Sequence, residues 1–313
     1  MFLYLNEYGY RLSKNRDTLE IEHSDGSKEN YSLNGLSAVY LGGEARISKA
    51  IIIELTKRNI DTVLLSKSGK PMVYVYPSWI KPKALRMLEK QMKFDRNTEK
   101  TMIEKFVTRA IKSKYHILGG LYRSRKRSNK ENAMKIMRYR DRIREIYKKS
   151  NLVKCKNLEE FRNKLRGFEG ISAKLYFESL KYVIPDEFNY KGLRTRRPPE
   201  DLFNSAISYG YAHLKYFIEK AFLLKGINPY YGYLHRQEND KNKQYLVFDM
   251  MEGYRHTFVD KTVINLIIRR RLSHENAFSK NSGMFLNKRG RETVSSAIYK
   301  SYFGKFRKSF RKC

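Results

Sequence analysis

The stretch from Gly232 to Arg255, GYLHRQENDKNKQYLVFDMMEGYR, gathers residue types that handle metal and phosphate chemistry. His235 stands on an aromatic-flanked turn, and Asp249 and Glu252 follow an apolar lead-in, Tyr245 to Phe248. On a helix this i,i+3 spacing puts both carboxylates on one face. Carboxylates directly behind an apolar run are costly unless a cation compensates them. Oxygen donors with one imidazole suit Mg²⁺ or Mn²⁺ better than zinc, which favours nitrogen and sulfur. The same residues read equally as surface ion pairs beside a buried, hydrogen-bonded histidine. Upstream, Glu169 lies between Phe168 and Gly170 at the head of LRGFEGISAKLYFESL. Taken alone, it is an acid favoured by the positive end of a helix dipole.

The elements that must position these residues change character along the chain. FLYL, YRLS and TLEIEH are short, aromatic and β-branched segments ending in polar turns, which predicts strands. Asp25-Gly26 is a hairpin signal, SAVYLGG reads as a further strand, and Ser48 caps a predicted helix, KAIIIELTKRN. DTVLLSKSGKPMVYVYP then reads as two strands around a Ser-Gly-Lys turn. Pro77 and Pro82 interrupt any ladder or helix and mark a linker. Beyond them apolar residues recur three and four apart, so helices are expected to the C-terminus. The expected fold is α+β: a small β-rich N-terminal domain over 1–76, a linker over 77–88, and a larger all-α domain over 89–313.

Charge is the strongest compositional fact. The 313 residues hold 65 Lys plus Arg against 32 Asp plus Glu, a formal net charge of +33. Such an excess repels itself in the compact state and calls for a polyanionic partner. Nucleic acid comes first, since the basic residues spread along the whole chain instead of gathering on one amphipathic membrane helix. The longest apolar runs, at Ala50 and Tyr245, fall far short of a membrane span. MFLYLNEYGYR has no signal-peptide pattern, and Cys155 and Cys313 have no metal-ligand spacing. A cytoplasmic protein without a membrane partner is expected. Basic clusters include Arg123, Arg125, Lys126 and Arg127, then Arg194, Arg196 and Arg197. Interleaved with tyrosines, they are candidate phosphate contacts, as is Arg255, one helical turn beyond Glu252.

The order of FEG…YF, RPPEDLFNSAISYGYAHL, KGINPYYGYLH and FDMMEGYR…VD resembles the CRISPR-associated spacer-acquisition integrase. This is the universal Cas adaptation integrase, which inserts captured DNA fragments into CRISPR arrays. SLNGLSAVYLGGEARISKAIIIELTKRNIDTVLLSKSGK and MFLNKRGRETVSSAIYKSYF resemble its N-terminal and closing segments, so the likeness spans essentially the whole chain. It implies a metal-dependent DNA endonuclease and integrase that joins 3′-OH ends to a CRISPR repeat by transesterification. Carried over by position, the implied metal ligands are Glu169, His235 and Glu252, with Mg²⁺ or Mn²⁺. Asp249 completes the implied catalytic group as a nearby supporting acid. Asn204, Tyr209 and Tyr211 fall beside the site. The implied partners are double-stranded DNA with 3′-OH ends, target DNA, a second copy in a homodimer, and a small ferredoxin-like Cas protein. The chain lacks the proline that usually precedes the position of Phe203, and its charge exceeds what the chemistry needs. Alternative readings are a stand-alone or transposon-borne relative, a metal-dependent branched-DNA nuclease, and a non-catalytic nucleic-acid-binding protein.

Overall fold

In the computed structural model, residues 1–66, 69, 71–75, 91, 93, 96–235 and 243–302 are described. The chain forms two compact units, Met1–Ile80 and Lys81–Cys313. The expected boundary at 76 and the linker over 77–88 lie outside the described residues.

The first unit is a six-stranded mixed sheet. Its strands are β1 (Phe2–Asn15), β2 (Thr18–Glu22), β3 (Lys28–Ser32), β4 (Ala38–Ile47), β5 (Asp61–Leu65) and β6 (Pro71–Tyr74), in the order β3-β2-β1-β4-β5-β6. FLYL and YRLS, expected as separate strands, form the single strand β1. Its pairing with β4 shifts register between Tyr8 and Tyr10, where Gly9 has φ +78°. A bulge absorbs the residue that reads as a break in the sequence. β2 and β3 pair antiparallel across a turn in which Gly26 has φ +83°. Helix α1 (Lys49–Lys57) begins where the Ser48 side chain accepts from the Ile51 amide. It buries Ile51 and Leu55 against Leu3, Leu12, Ile21 and Val39 of the sheet.

The second unit is mainly helical. Its long helix α2 (Arg96–Arg125) packs against α3 (Lys130–Ser150) and α4 (Leu158–Leu180). Helix α5 (Leu202–Lys225) supports α6 (Tyr245–Arg255), which runs through a π turn (His256–Asp260) into α7 (Lys261–Ile268). The close approach to α5 requires Gly210, because a Cβ there would lie 2.5 Å from Val259 Cγ1. The unit is not all-α. Strands β7 (Ala277–Lys280) and β8 (Gly283–Leu286) form a hairpin before α8 (Lys288–Ser301). Asn281 and Ser282 both adopt left-handed backbone conformations at its turn (φ +48° and +57°). Two such residues match the twist of a tight hairpin even without the usual glycine.

His213 of α5 is fully buried, with its ring 4.8 Å from that of Tyr209. Burial pushes its imidazole down to about 4. The unfolded chain therefore takes up this proton first, and stability falls as pH drops from about 6.5 towards 4. The share due to His213 is about 3 kcal/mol by pH 4. Denaturant unfolding of His213→Leu across this range is expected to show a shallower loss of stability than the parent chain.

Candidate functional site

Glu252 and Arg255 of α6, His256 of the π turn, Glu169 of α4 and His235 line one cavity of 620 Å³. Arg194, Arg196, Arg197, Lys174 and Lys243 line it too. Six Lys and Arg side chains thus surround two carboxylates, so the cavity favours a polyanion.

His235 is set in place by a buried carboxylate. Asp249, on the first turns of α6, is fully buried. Its Oδ2 accepts the amides of Tyr233 (2.6 Å) and Leu234 (2.8 Å), and its Oδ1 accepts the His235 amide (3.0 Å). Oδ1 also takes the His235 ring nitrogen Nδ1 at 2.7 Å. A carboxylate only accepts, so Nδ1 carries the hydrogen and Nε2 is the donor atom left for a ligand. From the other side Arg162, 2 % exposed, donates Nε to the Tyr233 carbonyl at 2.7 Å and Nη2 to Glu99 at 3.0 Å. Gly232 lets the turn close, since a Cβ there would stand 2.2 Å from the His235 carbonyl oxygen. Asp249, expected in the catalytic group, does not line the cavity. Among the described residues its hydrogen bonds all go to the turn. The i,i+3 spacing does not make the two carboxylates one site: Asp249 faces the turn and Glu252 the cavity.

The two cavity carboxylates differ in their counter-charges. Glu169 Oε1 accepts from Lys114 Nζ at 2.7 Å, and Nζ is also 3.0 Å from Ser172 Oγ. Lys114 comes from α2 and is fully buried. Burial alone would push the Glu169 carboxyl up. The Lys114 charge and hydrogen bond, with Arg255 and His256, outweigh it and hold the group well below the usual range. Glu252 goes the other way. Burial pushes it up, Arg255 pulls against that, and the Glu169 charge raises it further. Arg255 Nη2 donates to Glu252 Oε1, while Glu252 Oε2 is buried with no hydrogen-bond partner among the described residues.

An orphaned carboxylate oxygen in a cavity is expensive unless something cationic meets it. With His235 Nε2 and the Glu169 carboxylate it offers donors that fit a hard divalent ion in kind. Among the described residues no three His, Cys, Asp or Glu side chains stand close enough together to hold a metal. Lys114 and Arg255 carry the compensating charge instead.

The other expected residues sort by what they touch. Arg194 donates to Asn204 Oδ1 (3.0 Å) and Ser208 Oγ (2.8 Å), which fixes it in the cavity wall beside Arg196 and Arg197. Asn204 also donates to the Leu193 carbonyl at 2.9 Å, so it anchors the loop that carries these arginines. Tyr211 donates to Asp260 Oδ1 at 2.6 Å, and His256 Nδ1 lies 2.7 Å from Asp260 Oδ2. Tyr209 packs on His213. Of the basic run, Arg123, Lys126 and Arg127 are exposed, whereas Arg125 donates to the Val183 carbonyl at 2.5 Å. Arg125 is half-buried, and this hydrogen bond also ties it to the fold. Lys114, Arg162 and His256 were not expected. Only the adjacency of His256 to Arg255 could have flagged one of them.

Asp249→Asn replaces one acceptor oxygen with a donor facing amides that also donate. Buried hydrogen bonds broken in this way cost about 1–3 kcal/mol. Denaturant unfolding is expected to register that loss, and hydrogen exchange is expected to show faster exchange confined to the 233–235 amides.

The model of the CRISPR associated protein Cas1 family matches residues 3–300. A CRISPR-associated endonuclease Cas1 of Archaeoglobus fulgidus is 27 % identical over 268 residues, 84 % of this chain and 77 % of that protein. Among solved structures, a casposase bound to integration product superposes with a TM-score of 0.68 at 20 % identity, over 96 % of this chain and 82 % of that one. A Cas6-RT-Cas1–Cas2 complex gives 0.67 at 19 % identity, over 96 % of this chain and 32 % of that one. No helix among the described residues is long and apolar enough to cross a membrane. With its family pattern running nearly end to end, the chain belongs to the CRISPR-associated protein Cas1 family.

Proposed function

We propose that the protein joins the 3′-OH end of a DNA fragment to a target strand by divalent-metal-dependent transesterification, as in spacer acquisition at a CRISPR repeat. The observation that carries this reading is one cavity lined by Glu169, His235 and Glu252 together with a surplus of arginine and lysine. In the reaction the attacking O3′–P bond forms as the target P–O bond breaks. The hydroxyl proton passes to the leaving 3′-oxygen through the site. One phosphodiester is exchanged for another, so no high-energy cofactor is needed.

Glu169, His235 and Glu252 would hold Mg²⁺ or Mn²⁺ if they closed around the ion against their present pairing with Lys114 and Arg255, and the ion would then supply Lewis-acid polarisation of the phosphoryl oxygens and a more acidic attacking hydroxyl. Arg255 and Arg194 are fixed cations at the cavity wall. Charge grows on the phosphoryl oxygens in the transition state, so preorganised cations favour it over the ground state. Lys114 holds Glu169 in place, and Asp249 holds the His235 ring by Nδ1. The site run in reverse opens branched DNA, so disintegration and nuclease activity accompany joining.

The expected partners are donor and target duplexes, a second copy of the chain, and a small ferredoxin-like Cas protein. The complex with Cas2 among the similar folds and the +33 charge support the Cas and DNA partners, respectively.

Strand joining tests the reading, with a labelled duplex bearing 3′-OH ends, a supercoiled plasmid, and Mn²⁺, Mg²⁺ or EDTA. Metal-dependent plasmid labelling is expected, falling to background in Glu169→Ala, His235→Ala and Glu252→Ala, while DNA affinity stays within about threefold, since phosphate contacts elsewhere dominate binding. Normal joining by all three variants would overturn the assignment. A second expectation concerns Arg196 and Arg197, at the cavity wall. Their joint replacement by Gln is expected to weaken binding to all sequences alike and to flatten its salt dependence by roughly two in log–log slope. Titrations across a salt series measure this.

A further inference from the structure

A second basic surface lies on the other face of the α6–π–α7 segment. Glu252, Arg255 and His256 point into the cavity, whereas Gly253, Tyr254, Thr257 and Lys261 border a separate groove of 760 Å³. Helix α2 forms its opposite wall with Arg109, Lys112, His116 and Arg123. These four positions, at offsets 0, 3, 7 and 14, fall within an arc of about 60° at 100° per residue. They form a straight ridge of roughly 21 Å. No Asp or Glu among the described residues lines the groove. The ridge also has a preorganised member. The Arg109 guanidinium stacks 3.9 Å above the Tyr254 ring, in space that a Cβ on Gly253 would occupy, 2.8 Å from Arg109 Cδ.

We propose that this groove holds the sugar-phosphate backbone of a DNA strand, as a second nucleic-acid path separated from the reaction cavity by a single helix. The groove's charge sets the occupant: Arg109, Lys112, Arg123 and Lys261 line it. With no carboxylate among the described residues opposing them, these four cations answer a phosphodiester backbone. The proposal rests on the DNA reading only for the identity of that polyanion.

The test neutralises Lys112 and Lys261, both exposed, as the double variant Lys112→Gln/Lys261→Gln. A matched control, Lys49→Gln/Lys57→Gln, removes the same charge from exposed positions of α1. Fluorescence anisotropy with a labelled random-sequence duplex is read across a salt series, after thermal melts show both variants folded as the parent chain. The groove variant is expected to bind about tenfold more weakly at low salt, with a log–log slope shallower by about two, one for each phosphate left without its lysine. The control is expected to change affinity less than twofold. Equal effects of the two variants would overturn the proposal. So would unchanged duplex binding with selective loss of binding to poly-glutamate, which would assign the groove to an acidic protein partner. The readout is binding, not joining, so it stands or falls whether or not Glu252→Ala abolishes chemistry.

Discussion

A single buried carboxylate organises the site. Asp249 collects three consecutive backbone amides and one imidazole N–H, and among the described residues it is what fixes the Tyr233–His235 turn from the side of α6. An ionised carboxylate without contact to water survives only if its lone pairs are filled, so the turn and the helix stabilise each other. Arg162 closes the arrangement by taking the Tyr233 carbonyl and leaning on Glu99. Through this arrangement α2, α4 and α6 agree on where His235 stands, although His235 itself belongs to none of them.

The cavity shows how two like charges share a wall. The fully buried Lys114 and the partly buried Glu169 form a close pair, so Glu169 stays ionised. Glu252 has one oxygen matched by Arg255 and one unmatched, and it is pushed towards its neutral form. Opposite shifts on neighbouring carboxylates are how a site separates the tasks of chemically identical groups. The linkage has opposite signs. Glu169 adds stability above the usual carboxylate range and loses it as pH falls through its lowered value. Glu252 adds stability below that range and loses it as pH rises through its raised value.

The sequence carried the type and order of elements well where periodicity was strong. The Ser48 cap, the Asp25-Gly26 turn and the switch from strands to helices were all legible. The β7–β8 hairpin was not, because each strand has four residues and Asn281-Ser282 lacks the glycine that advertises such a turn. β1 looked like two strands because a bulge at Gly9 imitates a break. At the site, His235 and Glu252 stood out through their setting and the family likeness. Asp249 drew notice for its spacing from Glu252, which turned out to be incidental. Lys114 could not be found by reading. It is one lysine in a lysine-rich helix, and only folding brings it to a glutamate 55 positions away.

The π turn at His256–Asp260 constrains the length of the chain as tightly as its composition. A plain helix advances about 100° per residue, so the extra residue in this turn decides which side chains beyond it meet which wall. Removing one residue there would regularise the helix and rotate everything from Lys261 onward by about that angle. Val259 would no longer face the gap left by Gly210, and Asp260 would swing away from Tyr211. Substitutions along this helix can be absorbed one at a time. A change in its residue count would unpick both of its faces together.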